Sequence, residues 1–225
     1  LTTEISHNRN MHYFINKSND LNGSFTLIRI SIDDEIVIFT DRLGTRPVYY
    51  SQLNGQWVVS SSGSLLLPLR RMHSKIKPNF IAFSSLVLRS RPVDRLTLVE
   101  DVYRSDAGEI IRLVPHETEK RKKWFRPKYN TKSGIALTEK VEELETCLEK
   151  SASNLSAITL KPLLFLSGGM DSRLAAAILN DKMDGLEAMT LCDRLNSEAK
   201  IAKRVATEIG LKHNFYFRDR YYYLK

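Results

Sequence analysis

The chain has only two cysteines, Cys147 and Cys192, and neither stands in a Cys-x-x-Cys or a Cys/His cluster. That spacing supplies no zinc framework, and two scattered thiols fit buried packing roles in a reducing compartment. No apolar run approaches the roughly 20 residues that span a bilayer. No charged-then-apolar leader opens the chain. The expected location is therefore the cytoplasm, with no membrane partner. The first residue is Leu1 rather than Met, so a fragment of a longer protein is expected. Internal repeats and low-complexity tracts are absent. So are the Walker spacing Gly-x-x-x-x-Gly-Lys-Ser/Thr and the dinucleotide fingerprint Gly-x-Gly-x-x-Gly.

What is present is an ordinary globular composition with a basic surplus. Lys and Arg number 34 against 26 Asp and Glu, a net charge of +8 that suits phosphates or other anions. Part of the excess is local, because KRKKWFRPK at 120–128 carries six basic residues. A solvated linker is the preferred reading of that run, and nucleic acid is the disfavoured partner. Its case rests on Trp124 and Phe125, aromatic rings placed among charges and able to stack on bases.

The pattern changes near residue 130. Before it, SFTLIRI (24–30), EIVIFT (35–40), PVYYS (47–51) and QWVVSS (56–61) are short runs of β-branched and aromatic residues. Asp33-Asp34 and Asn54-Gly55 separate them, and Asn-Gly between such runs signals a hairpin. Pro78 opens a short helix over NFIAFSSLVL. Asp106 to Gly108 reads as a turn before a strand. After residue 130, LTEKVEELETCLEK (137–150) places Leu137, Val141, Leu144 and Leu148 at helical spacing, with Thr138 as the expected N-cap. Strand PLLFL, helix RLAAAIL, strand LEAMTL, helix SEAKIAKRVATEI and strand HNFYF then alternate. That order argues βαβ units and a parallel sheet, with Gly210 ending the last helix. Two domains are expected, a β-rich one over 1–128 and an α/β one over 133–225.

The stretch LFLSGGMDS sits where a strand gives way to a helix. In an open parallel sheet, ligands lie beyond the carboxyl ends of the strands. Gly168 and Gly169 let backbone approach an anion, and the amides of the following helix form a phosphate cradle. Ser167 and Ser172 add hydroxyls. Asp171 repels bare phosphate, but it makes sense beside Mg²⁺, which takes oxygen from carboxylate and phosphate together. The alternative is a tight turn with a first-turn acid.

SGGMDS matches the SGGxDS loop of the PP-loop ATP pyrophosphatases. LNGSF (21–25), DRLGTRPVYY (41–50), VVSSSGSLLL (58–67) and TLVEDVYRSDAGEIIRL with WFRP resemble, in that order, the glutamine amidotransferase half of asparagine synthetase and its bridge to the synthetase half. The resemblance runs from about Leu21 to Phe217. It implies a partial antiparallel domain like the N-terminal-nucleophile hydrolases, then a partial PP-loop parallel α/β domain. It implies ATP and Mg²⁺ as cofactors, with a carboxylate and glutamine as further small-molecule substrates, and a homodimer as the assembly. The implied reaction adenylates the carboxylate, releases pyrophosphate and transfers ammonia or an amine.

The resemblance also implies roles. Asn22 and the Gly23 amide are the expected oxyanion hole, and Ser24 and Asp41 lie where the family grips the glutamine amino group. Phe165 and Leu191 fall where backbone meets adenine. Ser167, Gly168, Gly169 and Ser172 hold phosphates, and Asp171 holds the metal. Asp41 also reads as a turn carboxylate, and Glu198 as a helix N-terminal acid. The family's cysteine nucleophile is not at Leu1, and its upstream glutamine-binding arginine is not in the sequence. The chain stops at Lys225 before the family's second metal-binding acid and catalytic lysine. Relatives closing β-lactams or lasso peptides or modifying glycan precursors, a non-catalytic nucleotide-binding remnant, and a PP-loop enzyme acting on tRNA are the other readings.

Overall fold

The computed structural model describes residues 21, 23–129, 134–159, 161–219 and 221–222. The chain divides into two compact units, Leu1–Tyr129 and Asn130–Lys225. The architecture is mixed α/β, with antiparallel sheets in the first unit and a parallel sheet in the second.

The first unit holds β1 (Thr26–Ile30), β2 (Ile36–Thr40), β3 (Tyr49–Leu53), β4 (Gln56–Ser60), β5 (Tyr103–Arg104), β6 (Glu109–Leu113) and β7 (Lys120–Lys123). One antiparallel sheet runs β1-β2-β6-β7 and a second runs β4-β3-β5. The Asn54-Gly55 hairpin forms as expected, with positive φ at both residues (49° and 83°), the conformation of a type I′ turn. Every residue of β2 is buried. One of its faces, Ile36 and Ile38, packs with Ile111 and Leu113 against Val48 and Tyr50. Its other face, Val37 and Phe39, packs with Ile110, Leu27 and Trp124. Burial pushes the Tyr50 phenol up to about 12.

The basic run is not a free linker. Residues 120–123 form β7 on the edge of the first sheet, paired with β6. Arg121 bridges Glu109 and Asp94 (Nη2–Oε1 2.7 Å, Nη1–Oδ2 3.1 Å), and Lys123 reaches Asp106 at 2.6 Å. Trp124 stacks on Phe39 with ring centroids 4.9 Å apart, and its Nε1–H donates to Thr40 O. Its ring is committed to the core, since a buried aromatic contact is worth more than the area it covers. Gly108 makes the preceding turn possible. Its φ is +58°, and a Cβ there would lie 2.7 Å from Phe125 O.

Among the described residues, the first unit also has two helices. The helix α1 (Gly63–His73) lies where the sequence suggested only a strand end, and it contains Pro68. Pro68 falls in the second turn, where its missing N–H removes the i→i−4 bond to the Ser64 carbonyl. The helix α2 (Phe80–Arg89) is the one expected after Pro78, and Asn79 caps it by accepting from Ala82 N–H.

The second unit holds α3 (Leu137–Ser156), β8 (Leu163–Phe165), α4 (Met170–Lys182), β9 (Glu187–Cys192), α5 (Ser197–Glu208) and β10 (Lys212–Phe217). The parallel sheet has the order β10-β9-β8. Its core joins Leu166, Ala176, Met183, Leu186, Ala188, Ala202, Ala206 and Leu211. The alanines of α5 explain why it lies close to β9 and β10, as small side chains let backbones approach. Gly210 ends α5 as expected: with φ +68° it lets Leu211 N–H reach Ala206 O and its own N–H reach Thr207 O, the paired bonds of a Schellman end.

Three expectations for this unit need correction. The α3 N-cap is Ala136 rather than Thr138, and it makes no side-chain cap bond. Leu137, Val141 and Leu144 are exposed, because only the C-terminal half of α3, around Ala152, is covered. Cys192 is buried but Cys147 is exposed, so only one thiol has a packing role; both are free. Among the described residues no helix is long and apolar enough to cross a membrane.

Candidate functional site at the strand ends of the parallel sheet

The loop after β8 is held from below by the sheet. Leu166 N–H donates to Met189 O at 2.9 Å. Leu166 O accepts from the buried Thr190 Oγ1–H at 2.6 Å. That commits the threonine's single proton, so the 2.8 Å contact between Thr190 Oγ1 and His213 Nε2 requires the imidazole to donate. Burial holds the His213 pKa below its ordinary value, with Lys203 adding to the effect.

Above this anchor the loop closes on itself. Ser167 N–H donates to Ser172 Oγ, the two hydroxyls lie 2.8 Å apart, and Gly169 N–H donates to Ser167 Oγ. Gly168 passes against the first turn of α5. A Cβ on it would lie 2.9 Å from Glu198 Cα and 3.1 Å from Glu198 O. Glycine is required there by close approach, since its φ is not positive. Gly169 is the N-cap of α4 and provides no side-chain cap, so the first-turn amides face outward without a side-chain acceptor. By contrast, α5 is capped by Asn196 Oδ1, which accepts from Ala199 N–H at 2.9 Å. Asp171 is exposed in the first turn of α4, and Arg173 Nε–H donates back to Gly169 O.

A cavity of about 170 Å³ opens beside the loop, between the ends of β8 and β9 and the start of α5. Phe165, Ser167 and Leu191 line it together with Thr190, Asn196 and Glu198. The structure thus gathers the expected second-unit residues at one sheet edge: Ser167, Gly168, Gly169, Asp171 and Ser172 in the loop, Phe165 and Leu191 at the cavity. Residues 143–221 match the family model for asparagine synthase. This match, over about a third of the chain, supports membership of the asparagine synthase family. No curated protein matches the chain significantly.

Sequence reasoning placed Asn196, with Ser197 and Glu198, only near the family's usual Asp-Glu at the start of the helix over 197–209, and it did not name Thr190 at all. Asn196 and Thr190 lie at the end of the second parallel strand or just after it, the position that marked Ser167 on the first. The strand-end rule applied to β9 as well as β8 would have found them.

The first-unit candidates lie apart from the family match. Asn22 is outside the described residues. Gly23 is exposed with φ +117°. Ser24 and Asp41 come together through one side chain. Arg46 Nε–H donates to Ser24 Oγ, Ser24 meets Thr45 Oγ1 at 2.6 Å, and Thr45 Oγ1–H donates to Asp41 Oδ2 at 2.6 Å. Asp41 is 2% exposed and also accepts from the N–H groups of Phe25, Leu43 and Thr45. This is the bonding of a turn-stabilising carboxylate. Desolvation raises its pKa, but the Thr45 hydroxyl and the three amides outweigh it, so the carboxyl sits below its ordinary value.

A lowered folded pKa means that the Asp41 contribution is present above the unfolded value and lost as pH falls through the folded one. Asp41→Asn turns an NH₂ toward donors. It is expected to cost about 2 kcal/mol at neutral pH. The loss should shrink below pH of about 4, where wild type protonates too. Urea melts of both proteins at pH 7 and pH 3 check both statements.

Proposed function

We propose that the protein is an ATP-dependent amide ligase that activates a carboxylate as its adenylate, releases pyrophosphate and passes the acyl group to ammonia or an amine. The observation that carries this reading is the glycine turn after β8: an N-terminally uncapped helix with outward amides, placed at a parallel strand end within an asparagine synthase segment. The match supports the ligase class; the loop chemistry supports the adenylate route.

The residues fit a nucleotide with its metal. The first-turn amides of α4 and the Gly169 N-cap form a cradle of positive partial charge for phosphates. Phe165 is 61% exposed and Leu191 45% exposed at neighbouring strand ends, apolar surface suited to a purine. Asp171 would hold Mg²⁺. Among the described residues no three His, Cys, Asp or Glu side chains form a metal cluster, so the remaining ligands would be phosphate oxygens and water. When bound, the ion neutralises charge that develops on the phosphates. The chain's own part is to orient the α-phosphate toward the carboxylate and to draw the leaving pyrophosphate into the amide cradle.

The test is ATP–pyrophosphate exchange by the full-length protein over a panel of carboxylates, aspartate first. Carboxylate-dependent exchange supports the reading. Hydrolysis to ADP, or no exchange with any member of the panel, overturns it.

A further inference from the structure

A second concave site lies in the first unit and shares no residue with the strand-end cavity. Its volume is about 420 Å³, within the range of pockets that take small ligands. Three arginines line it: Arg89 at the end of α2, Arg91 just beyond, and Arg104 on β5. Arg104 stands directly opposite Tyr49 in the β3–β5 register, so the phenol ring and the guanidinium share one sheet face. Tyr49 also lines the cavity.

The charges in this cavity are unequally paired. Two acids line it, Asp94 and Asp106, and each is held by a cation of β7: Asp94 by Arg121 and Asp106 by Lys123. The Arg121 hydrogen bonds hold the Asp94 carboxyl below its ordinary pKa. For Asp106, burial raises the pKa but the Lys123 bond and the Ala107 amide prevail, so both acids are ionised at neutral pH. Among the described residues, Arg89, Arg91 and Arg104 make no ion pair. Arg121 also pairs the buried Glu109, so these three acids outnumber their two β7 partners by one, and with Arg89, Arg91 and Arg104 a surplus of two positive charges remains around one concave space. Like charges gathered without a counter-ion repel one another, and a multivalent anion removes that repulsion.

We propose that this pocket binds a small phosphate-bearing anion of the di- or triphosphate class. Guanidinium forks pair with two oxygens of a phosphate as they do with a carboxylate, but a di- or triphosphate presents several such oxygen pairs and more than one negative charge in a compact group. Three arginines on α2, the following turn and β5 surround such a group from different elements. The concave shape favours a compact ligand over an extended nucleic-acid backbone, which would follow a stripe rather than a pocket. The assignment is independent of the ligase reading, because it uses no residue of the second unit.

The test is a titration of inorganic pyrophosphate into the isotope-labelled 225-residue chain, followed by amide NMR in magnesium-free, low-salt buffer. Saturable shifts are expected at residues 89–97 and 104–106, with a dissociation constant below about 1 mM. In Arg91→Gln/Arg104→Gln the affinity at those residues should fall by at least about tenfold. Both side chains are exposed, so the rest of the spectrum is expected to stay in place and report an intact fold. Unsaturated shifts, or equal affinity in the double variant, overturn the proposal. Shifts confined to 167–173 place all binding at the glycine loop and overturn it too. Citrate binding as tightly as pyrophosphate removes the phosphate class. Displacement by a single-stranded oligonucleotide at lower concentration, with shifts along 120–128, replaces the small anion with nucleic acid.

Discussion

Asp171→Asn is expected to lower carboxylate-dependent pyrophosphate exchange by about a thousandfold, equivalent to roughly 4 kcal/mol of transition-state stabilisation. The melting temperature should barely move. The residue is exposed in the first turn of α4, and among the described residues its carboxylate makes no ion pair that braces the loop. A first-turn acid contributes about 0.3–1 kcal/mol through the helix dipole, and Asn retains part of that. The two roles of Asp171 therefore separate cleanly. A metal-holding residue loses activity, demands more Mg²⁺ for what remains, and leaves stability nearly intact. A residue acting only on the helix dipole does the reverse. Full exchange with a depressed melting temperature would remove Asp171 from the reaction.

The second unit was legible because its pattern and its chemistry coincide. Gly210 in the left-handed region, Asn196 accepting from Ala199, and a glycine turn at a strand end are local devices, and local devices are written in adjacent residues. Thr138 failed for a related reason. Its position invites a cap, but the helix begins one residue earlier and Ala136 takes the flanking place. The exposed stripe of Leu137, Val141 and Leu144 shows that helical spacing fixes the helix, not what covers it.

In the first unit the difficulty was long-range pairing. KRKK carries no alternation of apolar and polar residues, so it reads as solvent-facing. It forms a strand because Arg121 and Lys123 meet Asp94, Glu109 and Asp106. Those acids lie 12 to 27 residues away for the Arg121 contacts, beyond the reach of any local pattern. Asp41 is similar. Its dual reading, as glutamine contact or turn carboxylate, depends on Phe25 and Thr45 arriving from either side. The three arginines of the first-unit pocket, which make no ion pair among the described residues, were equally hidden, since a sequence records a charge but not where its partners lie.

Gly168→Ala is expected to damage both stability and chemistry, and the comparison with Gly169→Ala shows why. At Gly168 the added Cβ would lie 2.9 Å from Glu198 Cα, which is backbone and cannot rotate away. Either the loop or the first turn of α5 must move. Overpacking of this kind costs about 2 kcal/mol. A displacement near 1 Å at a positioning loop lowers turnover by about a hundredfold. At Gly169 the nearest atom to an added Cβ is Ser167 Oγ at 3.3 Å, and the backbone angles of −71° and 154° suit any residue. Stability there should change by no more than about 0.5 kcal/mol. Yet Gly169 borders the outward amides of α4, so its methyl group intrudes on a bound phosphate and raises the KM for ATP while the fold stays intact. Thermal melts and exchange kinetics on both variants read the two effects separately. If Gly169→Ala leaves the KM unchanged, phosphate does not rest on the α4 amides, and the glycines serve the packing of the loop beneath α5 alone.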